Sequence, residues 1–199
     1  RCGTALSQHE LIDRYEDVTH RAVTLRLPLL PKGRTKKGAE QESILVWTTT
    51  PWTLPANTAL AVNPGLTYLK MRDAKGVFYL SMGAAVRPDQ GAEVVGEVKG
   101  RALLGRKYKG PFEELAAQKT VKARKIVAWK DVGEAEGAGV VHIAPGCGAE
   151  DFELSKTAKL AVLVPIDESG IYVKGYGAFS GKGALQATPA VIASLEKKG

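Results

Sequence analysis

The amino-acid sequence predicts an α+β domain built on a strongly bent or closed, antiparallel-rich sheet with a few peripheral helices. Three observations predict it. Short apolar runs recur along the chain, separated by turn sequences rich in Gly, Pro, Asn and Asp. Helix-start signals followed by a helix-length stretch occur only at 150–159 and 188–198. Strands and helices do not alternate regularly, which argues against a parallel βαβ sheet.

Residues 18–27 alternate through Val23, Leu25 and Leu27, as a half-buried strand does, until Pro28 and Pro31 stop it. Residues 32–42 read as an exposed basic loop, and 43–48 as a buried strand. Thr50-Pro51 is the usual N-cap and first position of a helix, which Pro55 limits to about one turn. Residues 59–62, 66–71 and 77–81 read as successive strands joined by Asn63-Pro64-Gly65 and by the turn at 73–76. Residues 94–98 and 121–129 continue the pattern, and 139–143 is a buried strand ended by Ala144-Pro145-Gly146. The helix at 150–159 carries acidic residues in its first turn, where the helix dipole favours them. Residues 160–165 return as a strand, and Thr188-Pro189 caps a last helix running to Lys198.

The 199 residues are expected to form one domain, 1–199, and the lack of an initiator Met or leader pattern marks the chain as a segment of a longer one. With 44% hydrophobic and 25% charged residues and no apolar stretch near the roughly 20 residues of a membrane span, a soluble, cytoplasmic protein without a membrane partner is expected. Cys2 and Cys147 are too few for a disulfide framework, and one thiolate cannot hold a structural zinc, so no metal is expected. The 28 Lys and Arg against 21 acidic residues give a formal charge of +7, which favours a polyanionic partner. The positive residues cluster at Lys32, Arg34, Lys36 and Lys37, at 99–109, and at Lys119, Lys122, Arg124 and Lys125.

Two segments stand out chemically. Trp47-Thr48-Thr49-Thr50-Pro51-Trp52-Thr53-Leu54-Pro55-Ala56-Asn57 leaves a strand, turns at Pro and presents three consecutive hydroxyls. Since side chains alternate along a strand, at least one hydroxyl follows the turn rather than the core. Gly139-Val140-Val141-His142-Ile143-Ala144-Pro145-Gly146-Cys147-Gly148 has the same form, strand then glycine-rich turn, and runs into Glu150-Asp151-Phe152 at a helix start. Taken singly, these residues have plainer readings. Threonines suit any strand, Thr50 suits a helix cap, His142 a hydrogen-bonded core histidine, and Asp151 an ordinary helix-start carboxylate. Cys147 between two glycines is a conceivable nucleophile only in an electropositive setting. No Gly-x-Ser-x-Gly elbow, phosphate loop or paired Cys-x-x-Cys occurs.

Together, the two segments resemble the threonine-rich and second editing motifs of isoleucyl-tRNA synthetases. Cys2-Gly3-Thr4-Ala5-Leu6-Ser7 and Tyr15-Glu16-Asp17-Val18 resemble the lead-in to that insertion, for which 1–12 is the lead-in segment. The valyl and leucyl sister enzymes usually have Thr-Thr-Arg-Pro where this chain has Thr49-Thr50-Pro51-Trp52. The resemblance implies a β-barrel-centred editing domain of the valyl/leucyl/isoleucyl type that hydrolyses valine from mischarged tRNA(Ile), and that also takes valyl-adenylate in one version of the reaction. Its partners are then the 3′ end of tRNA(Ile) carrying valine and the rest of the synthetase chain. The signatures of the ATP-using core, of the His-Ile-Gly-His and Lys-Met-Ser-Lys-Ser types, are absent. No cofactor is therefore expected in this segment, ATP and Mg belonging to the full-length ligase.

Isoleucine and valine differ by one methylene, worth about 1 to 3 kcal/mol, a general magnitude that isoleucyl-tRNA synthetase itself is used to illustrate. A second sieve is therefore needed. The resemblance implies that Asp151 binds the α-ammonium and that Thr48, Thr49 and Thr50 bond the adenosine, the ester and the attacking water. It further implies that Trp47 and His142 form walls, His142 limiting side-chain size, and that Asn57 supports the turn or the ribose. The alternatives are a valyl or leucyl editing domain, or a non-catalytic RNA-binding β-barrel in which only the basic clusters matter.

Overall fold

The computed structural model describes residues 21–198, apart from 32, 34–37, 39 and 87–90. The lead-in at 1–12, the Tyr15-Glu16-Asp17-Val18 match, Cys2, the first residues of the strand predicted at 18–27 and most of the basic loop lie outside the described residues.

The described chain is α+β, rich in sheet and poor in helix, as the sequence predicts. Among the described residues there are eight strands: β1 (Val23–Pro28), β2 (Glu42–Thr48), β3 (Ala59–Val62), β4 (Thr67–Asp73), β5 (Gly76–Ser81), β6 (Glu93–Lys99), β7 (Ile126–Ala128) and β8 (Val141–Ile143). Among them run helices α1 (Gly100–Leu103), α2 (Ala149–Ala158) and α3 (Ala184–Glu196) and short 3-10 helices at Pro51–Ala56, Ala116–Thr120 and Gly177–Phe179.

The strands form a five-stranded sheet in the order β1-β2-β5-β4-β6 and a three-stranded sheet in the order β7-β3-β8. Most pairs are antiparallel; β2 with β5 and β3 with β7 are parallel. Single bridges stitch the sheets together. Leu29, just past β1, bridges Tyr108, and Lys107 bridges Lys125, just before β7. At the other side, the Ser81 N–H ending β5 donates to the Ala138 carbonyl ahead of β8 (2.8 Å). Backbone pairing therefore runs from one sheet to the other along both flanks, which is how short strands satisfy their polar groups around a bent sheet.

β2 is apolar on both faces, and both are covered. Ile44 and Val46 enter the main core with Leu60, Tyr108, Ile126 and Val191, while Leu45 joins Met71, Phe78 and Leu80 in a second cluster. Burial of Ile-Leu-Val on a pleated strand is the main reason that this segment is a central strand. An aromatic group, Phe112, Tyr172, Tyr176 and Phe179, closes the main core below α3, with Phe112 and Phe179 edge to face at 5.6 Å.

Several elements differ from the sequence reading. The turn after Thr50 is a 3-10 helix in which the Thr50 side chain makes no cap bond. Only 126–128 of the strand predicted at 121–129 is formed, because a 3-10 helix and its exit occupy the preceding residues. Residues 160–165 belong to no strand, and Val162 and Val164 face outward, 44% and 58% exposed. Helix α3 begins after Gly183, one turn before the predicted cap, so that Thr188 bonds back to the Ala184 carbonyl (3.3 Å) and Pro189 lies inside the helix. In the second turn, Pro removes only the one N–H that would reach back four residues, and burial of Ala187, Val191 and Ile192 outweighs that loss.

Candidate functional site

The two singled-out segments meet. β2 packs against β8, and Gly137, at φ +54°, lies so close to Trp47 that a Cβ there would come 2.7 Å from the indole. Where β2 ends and the β8 turn enters α2, a cavity of about 470 Å³ opens. Trp47, Thr48, Thr49 and Thr50 line it on one side and His142, Ala144 and Asp151 on the other. The turn at 144–148 is held tightly, since a Cβ on Gly146 would overlap the Leu163 carbonyl at 1.9 Å. A second, larger depression of about 890 Å³ lies between β1 and the end of α3 and includes none of these residues.

The three threonines are not equivalent. Thr48 is buried, and its Oγ1 accepts the Thr50 N–H (3.1 Å) and lies 3.3 Å from Thr50 Oγ1, so it holds the turn. Thr49 and Thr50 are exposed at the cavity. Thr53, which the sequence reading did not single out, is buried on the same wall and donates to the Thr50 carbonyl at 2.8 Å.

His142 is 8% exposed, and both ring nitrogens are bonded, Nε2 to Thr53 Oγ1 (2.8 Å) and Nδ1 to Asn57 Nδ2 (2.9 Å). Burial pulls its pKa from 6.5 down to about 4, so the ring is neutral at physiological pH. It meets the cavity without charge. Asn57 does not reach the cavity lining: fully buried, it bonds Ala59 O (3.0 Å), His142 and the Tyr108 hydroxyl (2.6 Å). Gln118 supports the same corner by donating to the Pro55 and Asn57 carbonyls (2.6 and 3.1 Å), and Arg124 donates in turn to Gln118 Oε1.

Asp151 stands in the first turn of α2, where Oδ2 accepts the Ala144 N–H at 2.7 Å. Burial raises its pKa above the ordinary carboxylate value; the Ala144 N–H opposes this and the Glu150 charge adds to it. Glu150 and Glu136 also line the cavity, and among the described residues no Lys or Arg does. Glu136 escaped the sequence reading because a glutamate beside Gly137 looks like any solvated loop residue. The net result is an acidic cavity with one partly buried carboxylate that has no cationic partner among the described residues, a setting suited to an ammonium group. It does not suit a reactive thiolate: burial, with the Asp151 charge, pushes the Cys147 thiol up to about 12. Among the described residues, no group of three or more His, Cys, Asp or Glu side chains is arranged to hold a metal ion.

No family model matches the chain. Isoleucine-tRNA ligases align with all of it: that of Methanothermobacter thermautotrophicus at 38% identity over 201 residues, that of Thermus thermophilus at 36% over 200, and that of Pyrococcus horikoshii at 35% over 213. The chain spans only 18 to 19% of the length of these relatives. In fold it is similar to the solved GlLeuRS-CP1 structure, with a TM-score of 0.70 at 15% identity, covering 89% of this chain and 95% of that one. It is similar also to the P. knowlesi cytosolic leucyl-tRNA synthetase editing domain, with a TM-score of 0.63 at 10% identity, covering 89% and 93%. Aligned from end to end with isoleucine-tRNA ligases, the chain is homologous to a segment of that family, and it has the fold of CP1 editing domains.

Proposed function

We propose that this domain hydrolyses the ester linking valine to the 3′-terminal adenosine of tRNA(Ile). The parent in this reading is a cytoplasmic, ATP- and Mg-dependent isoleucine-tRNA ligase. The observation that carries the reading is the convergence of Thr49, Thr50 and Asp151 on one acidic cavity. Asp151 keeps one oxygen for the α-ammonium of the misattached valine while the other is held by Ala144 N–H. Thr50, and Thr49 beside it, orient a water against the ester carbonyl and bond the developing oxyanion, while Thr48 keeps their turn in place. The walls against which the aliphatic side chain is measured are Trp47 and the carbon edge of His142. Asn57 acts through His142 and the turn.

Water adds to the carbonyl carbon, its proton passes to the departing ribose oxygen, and the products are free valine and tRNA with its terminal hydroxyl restored. An aminoacyl ester is already activated, so positioning the water and stabilising the oxyanion are sufficient, without a covalent intermediate. Valyl-adenylate is a further substrate in this reading.

The test is release of valine from Val-tRNA(Ile) over many turnovers, with Ile-tRNA(Ile) and tRNAs mischarged for the valyl and leucyl enzymes in parallel. Asp151→Asn keeps an oxygen for Ala144 N–H and removes the charge; it is expected to lower kcat/KM about 100-fold. Tight tRNA binding without turnover by the wild-type chain, or full activity in Asp151→Asn, would overturn the proposal.

A further inference from the structure

We infer that Thr53 and Tyr108 are positioning residues of this cavity, which together decide which nitrogen of His142 carries the proton and tie the His142 wall to the turn presenting Thr50. The inference rests on the deacylase reading and names the groups that keep that site in shape.

Two backbone carbonyls determine every proton in the chain of bonds. The Ala59 carbonyl can only accept, so the Asn57 side-chain atom 3.0 Å from it is the amide nitrogen. The second hydrogen of that nitrogen points to His142 Nδ1 at 2.9 Å, and Nδ1 accepts. A neutral imidazole with a bare Nδ1 carries its hydrogen on Nε2, which donates to Thr53 Oγ1 at 2.8 Å. Thr53 sends its own hydrogen to the Thr50 carbonyl, also at 2.8 Å and also acceptor-only. Asn57 Oδ1 receives the Tyr108 hydroxyl at 2.6 Å. No polar atom of the four side chains is left unpaired, and all four residues are at most 8% exposed.

Two consequences follow for the reaction. Neither nitrogen of His142 is available to substrate or water, so the ring limits size and takes no part in proton transfer. Thr53 also holds the ring and the Thr50 main chain with one hydroxyl, so the surface that measures the side chain and the hydroxyl that orients the water keep a constant separation. Tyr108 acts one step further back. Without its hydroxyl the buried Asn57 oxygen loses its donor and the amide loses one of the bonds that hold its orientation. The hydrogen on Asn57 that selects the His142 tautomer is then no longer held in place.

The experiment uses the 199-residue chain with Thr53→Val, Thr53→Ser and Tyr108→Phe. Valine and isoleucine release from charged tRNA(Ile) is measured alongside the ring-nitrogen NMR signals of His142. In the wild type, His142 is expected as the Nε2–H tautomer. Thr53→Val, which keeps the shape and removes the hydroxyl, is expected to lower kcat for valine release about tenfold with little change in KM, and to raise the isoleucine-to-valine ratio by a similar factor. Thr53→Ser is expected to restore both to within about twofold of the wild type, which a purely structural role for Thr53 would not require. Tyr108→Phe is expected to give a mixture of tautomers.

An Nδ1–H tautomer in the wild type, equal losses in Thr53→Val and Thr53→Ser, or an unchanged ratio in Thr53→Val would overturn the inference. Failure of the deacylase reading is distinguishable, because the wild-type chain would then release no valine. The tautomers of the wild type and Tyr108→Phe would still decide for or against the bond assignment.

Discussion

Two polar clusters, one half-buried on the five-stranded sheet and one buried at the three-stranded sheet, are built in opposite ways. On the five-stranded sheet, Glu42 of β2 receives Arg106 at 2.6 Å, Lys70 at 3.0 Å and the Tyr79 hydroxyl at 2.8 Å, so one carboxylate is shared by two cations and a phenol. On the three-stranded sheet, Asn57, His142, Thr53 and Tyr108 form a chain of neutral hydrogen bonds. The ionic cluster leaves Arg106 Nε buried without a partner among the described residues and lines neither of the two cavities described above. The neutral cluster is complete and backs the acidic cavity. Charge thus ties β2, β4 and β5 to Arg106, whereas the cavity wall at His142 is held by neutral hydrogen bonds. In the proposed reaction, a cation in that wall would compete with the substrate ammonium for Asp151, and a further anion would add to the crowding by Glu136 and Glu150.

The contrast can be broken most severely on the ionic side. Glu42→Ala leaves Arg106, whose side chain is 9% exposed, without its carboxylate. Breaking such a pair is expected to cost about 3 to 5 kcal/mol of stability by denaturant titration, while valine release per folded molecule stays the same. A loss below about 1 kcal/mol would mean that the cluster is effectively solvated.

Acid should weaken both clusters, for opposite reasons. The folded His142 pKa of about 4 lies below the 6.5 of the free side chain, so the unfolded chain binds more protons between these values and stability falls as pH drops through that window. The difference corresponds to about 3 kcal/mol, present in full above 6.5 and lost by pH 4. Burial alone would raise Glu42, but its bonds to Tyr79, Lys70 and Arg106 outweigh this and hold it below 4.5. Its contribution is therefore present above 4.5 and fades as pH falls further. Unfolding free energies at pH 7 and pH 4 for the wild type and His142→Gln separate the two, since the variant should lose the upper part of the slope. An unchanged slope in His142→Gln would remove histidine from the account.

A smaller effect is expected where the cavity wall meets backbone. In Gly137→Ala the left-handed backbone and the 2.7 Å approach to Trp47 are expected to cost about 1 to 2 kcal/mol and to raise KM for the valyl ester by shifting the indole. The smallest belongs to the exposed Lys156–Glu153 pair on α2, where Lys156→Ala should change stability by no more than about 0.5 kcal/mol.

Much of the site was legible because it is local. The apolar run into Thr48-Thr49-Thr50 and the strand, turn and helix start around His142 and Asp151 each specify their own backbone, and both form a strand followed by a helical turn, although the strand before Ala144 is shorter than predicted and Thr50 makes no cap bond. Thr53, Glu136 and Tyr108 were not legible. Tyr108 stands between two exposed lysines and Thr53 among other threonines, and their importance comes only from partners 51 and 89 residues away in the chain. The misplaced elements have a similar cause. Residues 160–165 are as apolar as a strand but pair with no strand, and α3 starts where Gly183 bridges Ile171 rather than at the Thr-Pro signal.

What the sequence by itself determined is most of the order of strands and turns and the two segments whose side chains line one cavity. Those properties follow from side-chain period, turn chemistry and charge within a few residues of one another. Tertiary structure alone decided that Thr48 serves the turn while Thr49 and Thr50 face the cavity, that Asn57 supports His142 from behind, and that the histidine is neutral. These depend on burial and on hydrogen-bond partners brought from distant parts of the chain, and a sequence does not state which groups will lose their water.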